Sequence, residues 1–306
     1  MTKLAVVTTF PPNRWTAYAK RMLQSHVDFW PDDVVLHAYY EGDKPIFESQ
    51  KIKFINIEEV NPELVEFKKR HRDDPVANGE VKEIPGGVRR DPNAGKNDKG
   101  KGSYLWDAVR FAHKTFAVNH AIKNIDADYI LWLDADTFTF RKITKDFVTD
   151  LLPSEKLVNY LGRGDKYPEC GWVCYNKNHS KIKDFMKYWT NMYITDSIFK
   201  ELEWHDSYLF WQCVKRVAPD DGVDIGKGAG AKGHHIFVNS VLGAYIDHMK
   251  GKRKVKGKSS KSDLRGGRQE SYWQNVESYD PFGGIKFDPK QADDIVSKVA
   301  KGKQGN

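Results

Sequence analysis

Tyr129-Ile130-Leu131-Trp132-Leu133-Asp134-Ala135-Asp136-Thr137-Phe138 passes from an apolar run straight into two carboxylates one residue apart. Residues 129–133 have the length and composition of a buried strand, although periodicity alone leaves a helical segment open. As a strand, the run would carry Asp134 and Asp136 just past its end and on one side, because side chains alternate with period two. Two hard oxygen ligands so placed suit Mg²⁺ or Mn²⁺ carrying a diphosphate. The alternative is a turn with two solvated aspartates, since a bare Asp-x-Asp is common.

The segments around this run point to an α/β architecture. Residues 4–7 read as a first buried strand, Pro11 and Pro12 break the chain, and 14–29 places Trp15, Tyr18, Met22 and His26 near helical spacing. Strand-like runs follow at 34–40 and 53–57, so the opening is strand, helix, strand with a crossover, as in a parallel sheet. A short helix is expected at 63–70. The pattern then fails in a polar, Pro- and Gly-punctuated basic stretch to about residue 102, which reads as a lid or a solvated insertion. Val109, Phe111, Ala112, Phe116 and Ala117 support a helix leading into the 129–133 strand. Beyond it, 159–163 and 171–176 read as strands, 181–193 as a helix and 199–217 as containing one. Residues 218–233 read as a glycine-rich loop, and 239–248 as an apolar stretch.

Length and composition set outer bounds. The 306 residues are 40% hydrophobic and 30% charged, ample for a sizeable core. Aromatics at 13%, with nine tryptophans, favour flat surfaces for stacking bases or sugar rings. A net charge of +7 is compatible with a polyanionic partner. Cys170, Cys174 and Cys213 form no paired framework and no zinc-finger spacing, so they read as packing residues in a reducing compartment. The short apolar start at residues 4–7 reads as too short for a signal-peptide h-region, and no run approaches the length of a membrane span. A soluble, cytoplasmic protein without stable membrane insertion is the expectation.

A second anchor lies far down the chain. His248-Met249-Lys250-Gly251-Lys252-Arg253-Lys254 sets an imidazole ahead of a glycine and a lysine. Imidazole can complete a carboxylate metal site, glycine allows close backbone approach to an oxyanion, and lysine is a point charge for phosphate. Alone, the segment also reads as an element end followed by a solvated basic tail. A zinc hydrolase is disfavoured because no second histidine stands at helical spacing to His248; His234 and His235 read as structural.

Asp-x-Asp in mid-chain with His-x-x-Gly-x-x-Lys near the C-terminus resembles the GT-A glycosyltransferases of the glycogenin and lipopolysaccharide galactosyltransferase family. Val7-Thr8-Thr9 with Tyr18-Ala19-Lys20 is similar to that family's nucleotide-binding opening. Cys170-Gly171-Trp172-Val173-Cys174-Tyr175-Asn176 looks like its sugar-site strand, and His205-Asp206-Ser207 stands where it has Asp-Gln before a helix. The resemblance implies a Rossmann-like, mostly parallel sheet flanked by helices. It implies residues 1–150 as a nucleotide-sugar-binding half with a basic loop at 72–102, residues 151–258 as a sugar- and acceptor-binding half, and 259–306 as a C-terminal extension. Asp134, Asp136 and His248 would hold Mn²⁺ or Mg²⁺ against a nucleoside-diphosphate sugar, a UDP-sugar being favoured. Thr8, Thr9 and Tyr18 would lie near the base, Arg110 and Lys114 would approach the phosphates or sugar, and Lys250, Gly251 and Lys254 would close over the diphosphate. Asp206 would bind sugar hydroxyls or stand behind the anomeric carbon, with Glu169 a rival for that place. The chain departs from the pattern at Val255-Lys256, where Pro-Trp is usual, and at Ser207, where Gln is usual.

The acceptor is read from charge. The run 68–72, the loop 89–101 and the segment 250–261 are unusually basic, as suits a nucleic-acid backbone. Trp273, Tyr272, Trp204 and Tyr208 are candidates to stack on an exposed base. Residues 104–114, 204–210 and 233–254 look like phage-encoded glycosyltransferases, which favours DNA carrying hydroxymethylated pyrimidines as acceptor, its base unstacked for reaction. A lipopolysaccharide or other glycan is the competing acceptor, since such enzymes are also basic where they meet anionic membranes. A non-catalytic, DNA-binding protein on the same scaffold is the third reading, and it predicts salt-sensitive DNA binding without metal-dependent donor binding.

Overall fold

The computed structural model describes residues 2–80, 105–164, 166–227 and 236–249. Nine strands are assigned there: β1 Leu4–Phe10, β2 Leu36–Tyr40, β3 Ile52–Asn56, β4 Tyr129–Leu133, β5 Thr137–Thr139, β6 Val158–Arg163, β7 Lys166–Asn176, β8 Gly222–Asp224 and β9 Ile246–His248. The α-helices are α1 Lys20–Phe29, α2 Ile57–Val60, α3 Pro62–Arg70, α4 Ala108–Asn124, α5 Lys145–Thr149, α6 Ile182–Ile194, α7 Asp206–Val217 and α8 Ile236–Asn239.

Seven strands form one sheet in the order β3-β2-β1-β4-β7-β6-β8, and β5 pairs with β9 in a separate ribbon. The β1–β2, β2–β3 and β1–β4 pairs are parallel, β7 is antiparallel to both β4 and β6, and β8 runs parallel to β6. The α/β class and the mostly parallel, helix-flanked sheet are therefore as the sequence implied.

The apolar strand runs have a simple cause: both faces of the sheet are covered. Ala5, Val7, Ile130 and Trp132 pack on one side with residues of α4, α6 and α7. Leu4, Val6, Leu131 and Leu133 pack on the other with residues of α1, α5 and α8. The second strand reading, at 171–176, lies inside the longer β7. The 14–29 helix is composite. Pro11-Pro12 opens a 3₁₀ turn at Pro12–Arg14, a π-helical turn spans Trp15–Ala19, and α1 begins only at Lys20. The apolar stretch 239–248 is likewise not one element, because Ser240 caps a 3₁₀ turn at Val241–Ala244 between the end of α8 and the start of β9. No helix among the described residues is long and apolar enough to cross a membrane.

This topology positions the site. Strand order reverses on either side of β1, with β2 and β3 on one flank and β4 on the other. In an open α/β sheet the crevice beyond the carboxyl ends of such strands is where ligands bind. Thr8 and Thr9 lie toward that end of β1, and Asp134 follows the last residue of β4.

Candidate metal centre and active site

The Asp134–Asp136 turn owes its shape to backbone bonding. The Asp134 carbonyl accepts from the Thr137 amide at 3.0 Å and from Thr137 Oγ1 at 2.8 Å. The two carboxylates thus converge through a tight turn, a different cause from the strand alternation used to place them. Thr137 opens β5, whose antiparallel ladder sets Thr137 opposite His248. The Met249 amide then donates to the Asp136 carbonyl at 2.9 Å. A three-residue ribbon therefore closes a long chain separation and delivers the imidazole to both aspartates.

His248 Nε2 stands 3.0 Å from Asp136 Oδ1 and 3.6 Å from Asp134 Oδ2. One donor atom from each of Asp134, Asp136 and His248 lies within 4.8 Å of the other two. Ligands about 2.1 Å from one ion in neighbouring octahedral positions stand about 3.0 Å apart, so the spacing accepts a small divalent cation. Two carboxylates with one imidazole form a donor set suited to Mn²⁺ or Mg²⁺. Gly171 on β7 belongs to the same fit. A Cβ there would meet His248 Cε1 and Nδ1 at 2.6 Å, so only a glycine lets the imidazole lie against the strand.

Charge around the cluster is concentrated and buried. Lys114, in the second turn of α4, donates to Asp206 Oδ2 at 2.7 Å and to the Cys170 carbonyl at 2.6 Å, and its Nζ is 3.8 Å from Asp134 Oδ1. Burial alone would lower the Lys114 ammonium, but Asp206 and Asp134 hold it above the ordinary lysine range. Burial alone would raise the Asp206 carboxyl, but Lys114 and then His205 hold it below the ordinary range. Asp206 is also the first residue of α7, where the helix N-terminus favours an anion. Asp134 goes the other way: burial pushes it up, Asp136 and Asp206 add to that push, and Lys114 and His248 oppose it.

The other predicted site residues divide by position. Glu169 is buried on β7, its Oε1 accepting from the Gly171 amide at 2.9 Å and lying 3.5 Å from His248 Nδ1. Tyr18 is tied to the cluster electrostatically: burial and then the Asp136 carboxylate push its phenol up to about 12. The same phenol is opposed by Arg110, which is exposed in the first turn of α4. Thr9 Oγ1 donates to the Tyr39 carbonyl at 3.0 Å, and Thr8 is fully buried. Lys250, Gly251 and Lys254 lie outside the described residues, as do the basic segments 89–101 and 250–261, the extension 259–306, and His234, His235, Tyr272 and Trp273.

The run 68–72 lies within the described residues, and much of its charge is consumed internally. Lys68 pairs with Glu41 and, at 2.7 Å, with Glu58. Arg70 binds Asp196 at 2.8 Å and donates to the Tyr193 and Ile194 carbonyls, while His71 Nε2 is 2.9 Å from Asp196. Within the run, Lys69 and Arg72 are exposed and have no such pair among the described residues. Trp204 and Tyr208, proposed to stack on a base, are both buried, Trp204 edge-on to Trp106 and Phe199.

Sequence reasoning missed Trp132 as a site residue. Its indole Nε1 donates to Asp134 Oδ1 at 2.7 Å, and Lys114 Nζ lies 4.8 Å from its ring centroid. The signal was present: residues two apart on one strand face the same side, and a tryptophan two before an aspartate can reach it.

No protein-family model matches the sequence, and no curated protein does. Among solved structures, the chain is similar to the apo form of mouse xyloside xylosyltransferase 1, at 11% identity over 72% of this chain and 84% of that one, TM-score 0.43. It is also similar to a glycosyltransferase involved in glycosylation of the major capsid of PBCV-1, at 12% identity over 82% and 97% of the two chains, TM-score 0.43. A third is the bifunctional glycosyltransferase WbbM, at 9% identity and TM-score 0.40, where 74% of this chain spans 39% of that one. At such scores the functional reading rests on the chemistry of the site itself.

Proposed function

We propose that this chain is a metal-dependent glycosyltransferase that moves a sugar from a nucleoside-diphosphate sugar, a UDP-sugar first, to an acceptor hydroxyl. The observation that carries the reading is the Asp134–Asp136–His248 cluster at the switch point of the sheet. These residues would hold Mn²⁺ or Mg²⁺, which supplies charge neutralisation for a diphosphate leaving group.

The chain's own residues divide the remaining work. Asp206 stays ionised through its bond to Lys114, and a fixed carboxylate there stabilises positive charge developing on the sugar ring or binds its hydroxyls. Lys114 holds Asp206, two of its three donors going to that carboxylate and the Cys170 carbonyl, and its remaining donor would approach the phosphates or sugar. Glu169 is the second candidate for contact with the sugar. Arg110, with Lys250, Gly251 and Lys254, would bind the phosphates, while Tyr18, Thr8 and Thr9 would lie toward the base.

For the acceptor, DNA carrying 5-hydroxymethylpyrimidine is the favoured partner, supported by the net charge of +7 and the basic segments 89–101 and 250–261. The internal pairing of Lys68 and Arg70 removes part of the original support. The test is donor turnover with Mn²⁺ in the presence of hydroxymethylated DNA, unmodified DNA or detergent-solubilised glycan. Stimulation by the modified DNA alone is expected, and stimulation by the glycan alone would replace the acceptor. Asp136→Ala is expected to reduce donor hydrolysis to background while the protein stays folded. Undiminished turnover by that variant with metal chelated would refute the metal-dependent reading itself.

A further inference from the structure

The two oxygens of Asp134 face different partners. Oδ1 accepts the Trp132 indole N–H at 2.7 Å and lies 3.8 Å from the Lys114 ammonium, while Oδ2 lies 3.6 Å from His248 Nε2. A carboxylate on an otherwise free χ2 could rotate and present either oxygen, or both, to a cation. We propose that Trp132 is a positioning residue of the metal centre: its indole N–H fixes Oδ1 against the protein, leaving Oδ2 as the single oxygen Asp134 offers to the ion. The inference rests on the metal-dependent reading above and assigns this chain's tryptophan a role toward that ion.

Indole suits the task chemically. It is a donor only, so it binds the ionised carboxylate and never competes with it for a proton or for the cation. Trp132 is 3% exposed and has the Lys114 ammonium over its ring face, 4.8 Å from the centroid, so the ring that carries the N–H is fixed by packing and by the cation. Hydrogen bonds of this kind to the outer oxygen of a metal-ligating carboxylate orient the ligand, and their loss typically costs 10–100-fold in metal affinity.

The experiment removes the N–H and little else. Trp132 is replaced by benzothienylalanine, an isostere of nearly the same volume with sulfur in place of N–H, and Mn²⁺ binding is measured by calorimetry and by the electron paramagnetic resonance of free Mn²⁺. Trp132→Phe, which leaves a cavity in the core, is a second variant, with circular dichroism to establish that each is folded. The expected result is a Mn²⁺ dissociation constant raised roughly 10–100-fold in the isostere. In the parent protein, the Trp132 indole N–H resonance should be among the first broadened by substoichiometric Mn²⁺. An unchanged affinity in the folded isostere, alongside lost binding in Asp136→Ala, would overturn the positioning role while leaving the metal centre intact. No Mn²⁺ binding by the parent protein would overturn both.

Discussion

His113 and Lys114 are neighbours on one helix, yet they enter two charge clusters of opposite character. His113 Nε2 lies 2.9 Å from Glu41 Oε1, and Lys68 bridges Glu41 and Glu58. There, two carboxylates meet one lysine and one histidine, with side chains between 11% and 42% exposed. Around Lys114, four carboxylates among the described residues (Asp134, Asp136, Glu169 and Asp206) meet one lysine and one histidine, with side chains between 2% and 29% exposed. The first cluster is close to balanced and ties α3 and α4 to the end of β2. Among the described residues the second gathers more carboxylates than cations in a largely buried place, an arrangement that a bound cation would relieve. The difference separates a structural ion-pair cluster from the candidate cation site.

Removing the lysine from each cluster tests that contrast most severely. Lys114→Met strands Asp206 as a buried carboxylate without its partner, and the expected loss is about 3–5 kcal/mol of stability. Lys68→Met, whose partners reach solvent, should cost about 1 kcal/mol or less. Urea denaturation of the two variants measures the gap; equal losses would erase the distinction between the clusters.

Gly171→Ala acts on the geometry rather than the charge of the second cluster. Its methyl would enter the space of the His248 imidazole, where the nearest ring atoms stand 2.6 Å away. Overpacking of this kind costs about 1–3 kcal/mol. Because the displaced group is a proposed ligand, Mn²⁺ affinity should fall as well. A variant destabilised in urea but unchanged in Mn²⁺ titration would separate Gly171 from the metal centre.

The contrast was only half legible in the sequence. Asp134-Ala135-Asp136 could be read because an apolar strand ending in two carboxylates is a local pattern, and His248 because the order of motifs placed it. The partners that decide their chemistry are not local. Lys114 reaches Asp206 across 92 positions, and Lys68 reaches Glu41 across 27. A basic run looks the same in sequence whether its charges face solvent or are matched in the fold, so 68–72 read as a polyanion surface although Lys68 and Arg70 are paired. Strand β8 and the splitting of 239–248 were missed for a related reason: both depend on pairing with distant strands, Gly222 with Val158 and His248 with Thr137. Trp132 was visible as core and hidden as a site residue because it is both.

Asp134→Asn sharpens the excess-charge argument at a smaller scale. Asparagine keeps an oxygen to accept the Trp132 indole N–H but removes a carboxyl that burial and its acidic neighbours push upward. In metal-free buffer at neutral pH the variant should therefore melt higher than the parent, by on the order of 2 °C. Added Mn²⁺ should reverse the order, stabilising the parent in proportion to binding and leaving the variant unmoved. Differential scanning calorimetry with and without Mn²⁺ reads both halves. A variant that melts lower without metal would contradict the view that burial and the neighbouring carboxylates disfavour the Asp134 charge.

The smallest effect belongs to the balanced cluster and appears only in acid. Burial alone would raise the Glu41 carboxyl, but His113 and Lys68 outweigh it and lower the group to about 2 from its ordinary 4.5. A folded-state value below the unfolded one means that protons bind the unfolded chain more readily. The contribution of Glu41 is complete above about pH 4.5 and is lost as the pH falls toward 2. Glu41→Gln should therefore lower stability near neutrality by a modest amount, since Lys68 and Glu58 are partly solvated. Parent and variant should converge as the pH falls through that window. Asp134, shifted upward, predicts the opposite slope for its own cluster: acid should relieve the crowded carboxylates of the candidate metal centre while it weakens the Glu41 pairs. Urea midpoints of parent, Glu41→Gln and Asp134→Asn between pH 7 and pH 3, in metal-free buffer, distinguish the two signs. Parallel curves for both variants would mean that the two clusters differ in depth and not in kind.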